Sequence, residues 1–304
     1  MKLALGTVQL GLAYGIANQS GQISLAQASE VLALARANGI ADLDTAVTYG
    51  DAEVRLGQMG VEGFRVVTKL PPLAVELPEG IDDAGVWARA HLTASLSRLG
   101  TSSVYGLLLH RSTDLLGRHG SALLRALQDF RHEGLVQKLG ISIYAPDELA
   151  SLMPLIRWDL VQAPFNLIDR RLHASGWLQR LKDSQVEVHT RSAFLQGLLL
   201  TPANALPTQF LEWADLWRAW DKWQLATGCS ALSACLAFPQ SFPEVDRVVV
   251  GVDGPDHLRG ILAALRVPGQ QHWPDIACDN DKLVNPSRWT ELLASNESRD
   301  GILI

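Results

Sequence analysis

The chain has 304 residues, of which 47% are hydrophobic and 19% charged, with a net charge of −6. That balance belongs to a globular protein with a sizeable core and excludes a disordered chain. A mildly acidic chain without a Lys/Arg cluster has no electrostatic reason to bind nucleic acid or an anionic membrane. Three cysteines, Cys229, Cys235 and Cys278, form neither a disulfide framework nor a Cys-x-x-Cys metal or redox pair.

No basic region followed by a long apolar run opens the sequence, and no stretch approaches the ~18 apolar residues of a membrane span. A cytoplasmic protein is the expectation. Eight apolar runs read as strands: 3–9, 40–44, 64–70, 104–110, 138–144, 160–166, 186–194 and 247–252. Several are apolar at successive positions, such as Val248-Val249-Val250, as expected of strands covered on both faces in a parallel sheet.

Amphipathic stretches separate these runs. The first begins at Ser24, with Gln27 three residues on as a capping box, and ends near Gly39. Others are readable at 86–99, 119–133, 146–153, 171–184, 208–226 and 255–266. Strand–helix alternation implies βαβ units. Eight strands favour a closed (β/α)8 TIM barrel over an open doubly wound sheet. No Pro/Gly/Ser-rich linker interrupts the chain, so one domain is expected over 1–304, with the barrel at about 3–266 and a C-terminal extension at 267–304. Long loops at 71–85 and 195–207 fall after strands, on the face where such barrels hold their active sites.

The ends of the second, third and fourth runs carry the chemistry. They supply Asp44 and Tyr49, then Lys69, then His110. Any one of these has an ordinary structural explanation: a surface ion pair, a packed ring, a satisfied imidazole. Together, at three successive strand ends, they converge on one barrel mouth. A phenol with an ordinary pKa near ~10 needs help to give up a proton. An ammonium about 4 Å away stabilises the phenolate by roughly 4 kcal/mol at an effective dielectric of ~20. Asp44 would hold that ammonium in place, and His110 would orient a substrate oxygen.

The segment DTAVTYGDAEVRLG (44–57), with VVTK (66–69) and LLLHR (107–111), resembles the motifs of the aldo/keto reductase family. The resemblance runs from residue 3 to about residue 262. It implies a catalytic tetrad of Asp44, Tyr49, Lys69 and His110, with Tyr49 as general acid/base. The implied reaction reduces an aldehyde or ketone, sugar-like or otherwise small and hydroxylated, to an alcohol, or the reverse, with a nicotinamide cofactor.

By the same resemblance Ser142 in LGISIYA (139–145) and Gln162 in VQAPFN (161–166) hold the carboxamide. Ile143 stands where the family often has Asn. In RSAFLQGLLL (191–200), Arg191 replaces an aromatic residue that stacks on the nicotinamide, and is expected on that ring or on a cofactor phosphate. Ser192, Phe194 and Gln196 are expected along the pyrophosphate. After Gly251, the family's basic residue and Ser, ligands of the NADP 2′-phosphate, are replaced by Asp253 and Gly254. Family resemblance implies NADP(H), and these replacements leave room for NAD(H).

Trp213, Trp217, Trp220 and Trp223 keep helical spacing. They form either a face packed on the barrel or an aromatic wall for substrate, and spacing does not separate the two. A non-catalytic, cofactor-sensing regulatory barrel is the alternative function, against which the intact tetrad speaks. A metal-dependent barrel hydrolase would show a His-x-His pair, and none of the eight histidines forms one. No metal site is expected, and the expected partner is a small-molecule carbonyl or alcohol substrate, with neither nucleic acid nor membrane; oligomeric state is not readable.

Overall fold

The computed structural model describes residues 2–18, 20–73, 77, 83–266 and 272–289. Eight parallel strands close into a barrel in sequence order: β1 (Leu3–Gly6), β2 (Asp42–Asp44), β3 (Arg65–Leu70), β4 (Val104–Leu109), β5 (Val136–Ser142), β6 (Leu160–Pro164), β7 (Glu187–Arg191) and β8 (Arg247–Gly251). The seam is closed by β1 against β8, with Leu3 opposite Val248 and Gly6 opposite Gly251. Every expected strand is present, but several stop early at their C-terminal ends. The first gives way after Gly6 to a helical turn at Val8–Gly11. The seventh ends at Arg191 because Ser192 takes a positive φ of 62°.

Side chains alternate along each strand, so every second residue faces the lumen. This rule sorts the charged residues into two ends. At the strand starts, Asp42 Oδ2 accepts from Arg65 Nη2 and Arg247 Nε, each at 2.6 Å. Glu187 there accepts from Tyr105 at 2.7 Å, from His189 at 2.9 Å and from Lys138. Above this charged floor Val67, Leu108 and Leu160 fill the lumen. At the strand ends the same alternation delivers Asp44, Lys69, Ser142, Gln162, Arg191 and Gly251.

The helices outside cover the strands with a continuous apolar layer. Ser24 caps the helix Leu25–Ala37 with the expected capping box, and Gly39 follows at φ 73°. The helix expected at 86–99 starts at Ala84, capped by Asp83. The stretch 171–184 is two helices, Arg171–Ala174 and Trp177–Asp183, divided at Gly176 with φ 76°. The stretch 208–226 is a 3-10 segment, Thr208–Trp213, leading into Ala214–Thr227. The helices Ala52–Met59 and Ala231–Gln240 and the short helix Asp281–Val284 had no counterpart in the sequence reading.

Of the loop at 71–85, residues 74–76 and 78–82 lie outside the described residues, as do 267–271 and 290–304 of the C-terminal extension. The described part of that extension is tied to the barrel. Cys278 N donates to Ile168 O at 2.9 Å, and Arg170 Nη2 to Pro274 O at 2.6 Å. Trp289 is buried against Phe210, and Trp273 packs against Phe238 and Trp223. Trp217 and Trp220 are buried, and none of the four tryptophans at helical spacing lines the cleft described below. Their role is packing. Among the described residues no helix is long and apolar enough to cross a membrane.

Candidate active site

The strand ends open into a cleft of about 1030 Å³. Asp44 closes β2, and the turn after it is held as an extension of the sheet: Thr45 N donates to Val67 O at 2.9 Å and Val47 N to Lys69 O at 3.2 Å. Lys69 projects from β3 and is only 1% exposed. A buried ammonium is tolerable only when paired and hydrogen-bonded. Its Nζ donates to Asp44 Oδ2 at 2.7 Å, to Thr45 O at 2.9 Å and to the Tyr49 hydroxyl at 3.5 Å. His110 follows β4, its N–H bonded to Leu70 O at 3.1 Å, and its ring meets that of Tyr49 edge-on at 5.9 Å. The four expected residues are thus brought together, with Lys69 behind the cleft wall and the other three in it.

Burial is the largest influence on their protonation. It pushes the Tyr49 phenol well above its ordinary range, helped by the Asp44 charge and opposed by Arg191. The sequence led us to expect an acidified phenol. Instead, desolvation outweighs the opposing Arg191 charge and the hydroxyl is held protonated. Burial also lowers Lys69, against the pull of Asp44. His110 is pushed down to about 4 by burial and by the charges of Lys69 and Arg191. The site at neutral pH therefore contains a protonated phenol and a neutral imidazole.

The remaining expected residues line the same cleft. Gln162 Nε2 donates to Asp44 Oδ1 at 2.6 Å, and Ser142 Oγ approaches Gln162 Oε1 at 3.5 Å. The Arg191 guanidinium lies over the Tyr144 ring at 4.8 Å, and its Nη2 donates to Ile143 O at 3.0 Å. Ser192 is fixed by Asn166, whose Nδ2 donates to Ser192 O at 3.0 Å. Phe194 and Gln196 follow along one wall, with Gln196 Nε2 bonded to the Tyr14 hydroxyl at 3.1 Å. Gly251 and Asp253 line the cleft after the neighbouring strand β8, where Asn18 Nδ2 donates to Asp253 Oδ1 at 3.2 Å.

Sequence reasoning missed Gln9, Tyr14, Thr48 and Tyr144, all of which line the cleft. Gln9 was read as the end of the first strand. Its Oε1 is buried with no hydrogen-bond partner among the described residues, and its amide abuts Gly251 so closely that a Cβ there would lie 2.6 Å away. Thr48 and Tyr144 sat inside quoted motifs without a motif role. Among the described residues no group of three or more His, Cys, Asp or Glu side chains is placed to hold a metal ion.

A closed parallel barrel whose C-terminal mouth gathers a phenol, an ammonium, a carboxylate and an imidazole has the architecture of a barrel enzyme. The chain belongs to the aldo/keto reductase family, whose sequence profile matches residues 2–272, and so to a family of oxidoreductases. Among solved structures it resembles the aldo-keto reductase AKR11C1 from Bacillus halodurans (holo form), with a TM-score of 0.69 at 18% identity over 89% of this chain and 88% of that one. It also resembles the thermostable aldo-keto reductase Tm1743 in complex with the inhibitor epalrestat, with a TM-score of 0.66 at 21% identity over 89% and 92% of the two chains. PA4992 from Pseudomonas aeruginosa is similar as well, with a TM-score of 0.63 at 22% identity over 86% and 88%. At these identities the likeness is one of fold. No curated protein matches the chain.

Proposed function

We propose that this protein interconverts an aldehyde or ketone and the corresponding alcohol, with Tyr49 exchanging the proton at the substrate oxygen and a nicotinamide cofactor. The observation that carries this reading is the placement of Lys69 Nζ between Asp44 Oδ2 at 2.7 Å and the Tyr49 hydroxyl at 3.5 Å. A phenol that stays protonated at rest is a proton donor in waiting. As the proton leaves, the phenolate gains a fixed ammonium beside it, so the stabilisation grows along the reaction. His110, neutral, has one N–H to offer the same oxygen.

The cleft fits the cofactor. Its volume suits a ligand larger than most single small molecules. The orphaned Gln9 Oε1 asks for a donor, and Gln162 Oε1 has only the distant Ser142 hydroxyl. When bound, the nicotinamide supplies or receives the hydride. Ser142 and Gln162 would hold its carboxamide, Arg191 its ring or a phosphate, and Ser192, Phe194, Gln196 and Gly251 the chain between.

Family membership points to NADP(H), but this chain's own residues favour NAD(H). Asp253 and Asp256 both line the cleft after β8. The nearby cation, Arg259, is taken by Asp256 at 2.6 Å and by Glu30. A phosphate there would meet carboxylates, whereas Asp253 can accept from ribose hydroxyls.

Titrating NADH and NADPH by fluorescence, with a panel of aldehydes and ketones, tests the reading. NADH should bind more tightly, and Tyr49→Phe should lower kcat by about 10²- to 10⁴-fold while leaving cofactor affinity intact. Carbonyl reduction that survives Tyr49→Phe at full rate overturns the assignment, and tighter NADPH binding overturns the cofactor choice.

A further inference from the structure

Thr48 lies in the turn between β2 and the helix Ala52–Met59. Among the described residues its hydroxyl makes one hydrogen bond, 3.0 Å to Nδ1 of His110. Both partners are fixed through the end of β3. The residue before Thr48 donates its N–H to Lys69 O at 3.2 Å, and His110 donates its own to Leu70 O at 3.1 Å. The spacing between hydroxyl and ring is therefore set by the barrel rim. On its other side His110 Nε2 has no protein partner among the described residues, and both His110 and Thr48 line the cleft.

A neutral imidazole carries a single N–H, on one nitrogen or the other. With the proton on Nδ1 the ring would donate to Thr48 and present only a lone pair to the cleft. A lone pair repels a carbonyl oxygen. With the proton on Nε2 the ring accepts from Thr48 and donates to that oxygen.

We propose that Thr48 is a positioning residue: its hydroxyl donates to Nδ1 of His110, keeping the ring's proton on Nε2 and directing that N–H at the substrate oxygen. This rests on the reading of Tyr49 and His110 as the pair that receives a carbonyl oxygen. The groups facing the ring are consistent with it. Lys69 and Arg191 are cationic and disfavour a second ring proton, Asp44 favours one but is bonded to Lys69 and Gln162, and the Tyr49 ring meets it edge-on. Among the described residues only Thr48 bonds the ring, and so it is Thr48 that chooses between the two neutral forms.

The test is the long-range ¹H–¹⁵N spectrum of histidine-labelled protein at pH 7, with His110 assigned by the signal lost in His110→Gln. Wild type should show a protonated Nε2 and an unprotonated Nδ1. Thr48→Val, which removes the hydroxyl at nearly equal shape, should show averaged ring nitrogens. Its kcat should fall about 10- to 100-fold with a smaller change in KM. Thr48→Ser should restore both, and thermal melts of both variants separate this from loss of fold. A wild-type ring protonated on Nδ1, or a Thr48→Val ring with the wild-type nitrogen shifts, overturns the proposal. The spectrum is read whatever the protein reduces. A wild type with the Nε2–H ring but no carbonyl reduction in the panel sinks the functional reading and spares the tautomer assignment.

Discussion

Lys69 lies inside a barrel wall, where desolvation works against the charge of its amine. Asp44 and the Thr45 carbonyl supply what water would have supplied. Arg191 is held differently: a backbone carbonyl, a serine hydroxyl at 3.4 Å and the Tyr144 ring face, with no carboxylate among the described residues. Its charge is thus available to a ligand. Arg191→Ala should weaken cofactor affinity, by about tenfold for the loss of one charge-assisted contact; unchanged fluorescence titration curves would remove Arg191 from the cofactor site. At this scale the sequence was legible where chemistry dictates residue type. The tetrad could be named from strand ends, and the cleft-lining residues that follow it by resemblance to the family's motifs. Gln9 and Thr48 could not, since what marks them is an orphaned oxygen and a 3.0 Å contact between segments 62 residues apart.

The element scale turns on the close approach of two backbone segments. The turn Val8–Gly11 after β1 lies against the turn that carries Tyr49. A Cβ on Gly11 would fall 1.7 Å from Tyr49 O, and one on Gly50 would fall 2.3 Å from Gly11 O. Gly50 also has a φ of 55°. Gly11→Ala therefore has to displace the backbone of Tyr49 itself. Overpacking of this kind costs about 1–3 kcal/mol. We expect a lowered midpoint in thermal unfolding together with reduced kcat; a variant with wild-type kcat would show that the two turns move independently. Strand existence was legible because parallel strands are apolar on both faces, as at Val248–Val250. Strand ends were not. Val8 and Phe194 prolong the apolar pattern, yet the chain has already turned, at Thr7 and at the positive φ of Ser192. The helix Ala231–Gln240, with Pro239 inside it, lies in a stretch where the sequence reading assigned no element.

Over the whole molecule the barrel carries opposite duties at its two ends. The floor is a charged network whose residues do not line the cleft. Burial alone would raise the Glu187 carboxyl, but hydrogen bonds from His189 and Lys138 hold it far below the ordinary glutamate value of about 4.3. A carboxyl depressed in the folded state contributes stability that is fully present above its unfolded value and is lost as pH falls through the folded one. Glu187→Gln should thus be less stable than wild type in urea at pH 7. The gap should narrow steadily as pH drops below about 4. A gap that widens on acidification would contradict the assignment. At the other end, Pro286 and Ser287 of the C-terminal extension line the cleft, which couples the anchoring of Trp289 to the shape of the site.

The hydrogen bond from Gln162 to Asp44 joins β6 to β2, which lie four strands apart in a ring of eight and so face each other across its diameter. It works as a strut. The same carboxylate grips Lys69 with its second oxygen, so a load placed on Gln162 from above reaches the ammonium on the far wall. In a double-mutant cycle, Asp44→Asn and Gln162→Leu should therefore be non-additive in urea stability by about 0.5–3 kcal/mol; simple additivity would mean that the two walls bear their loads separately.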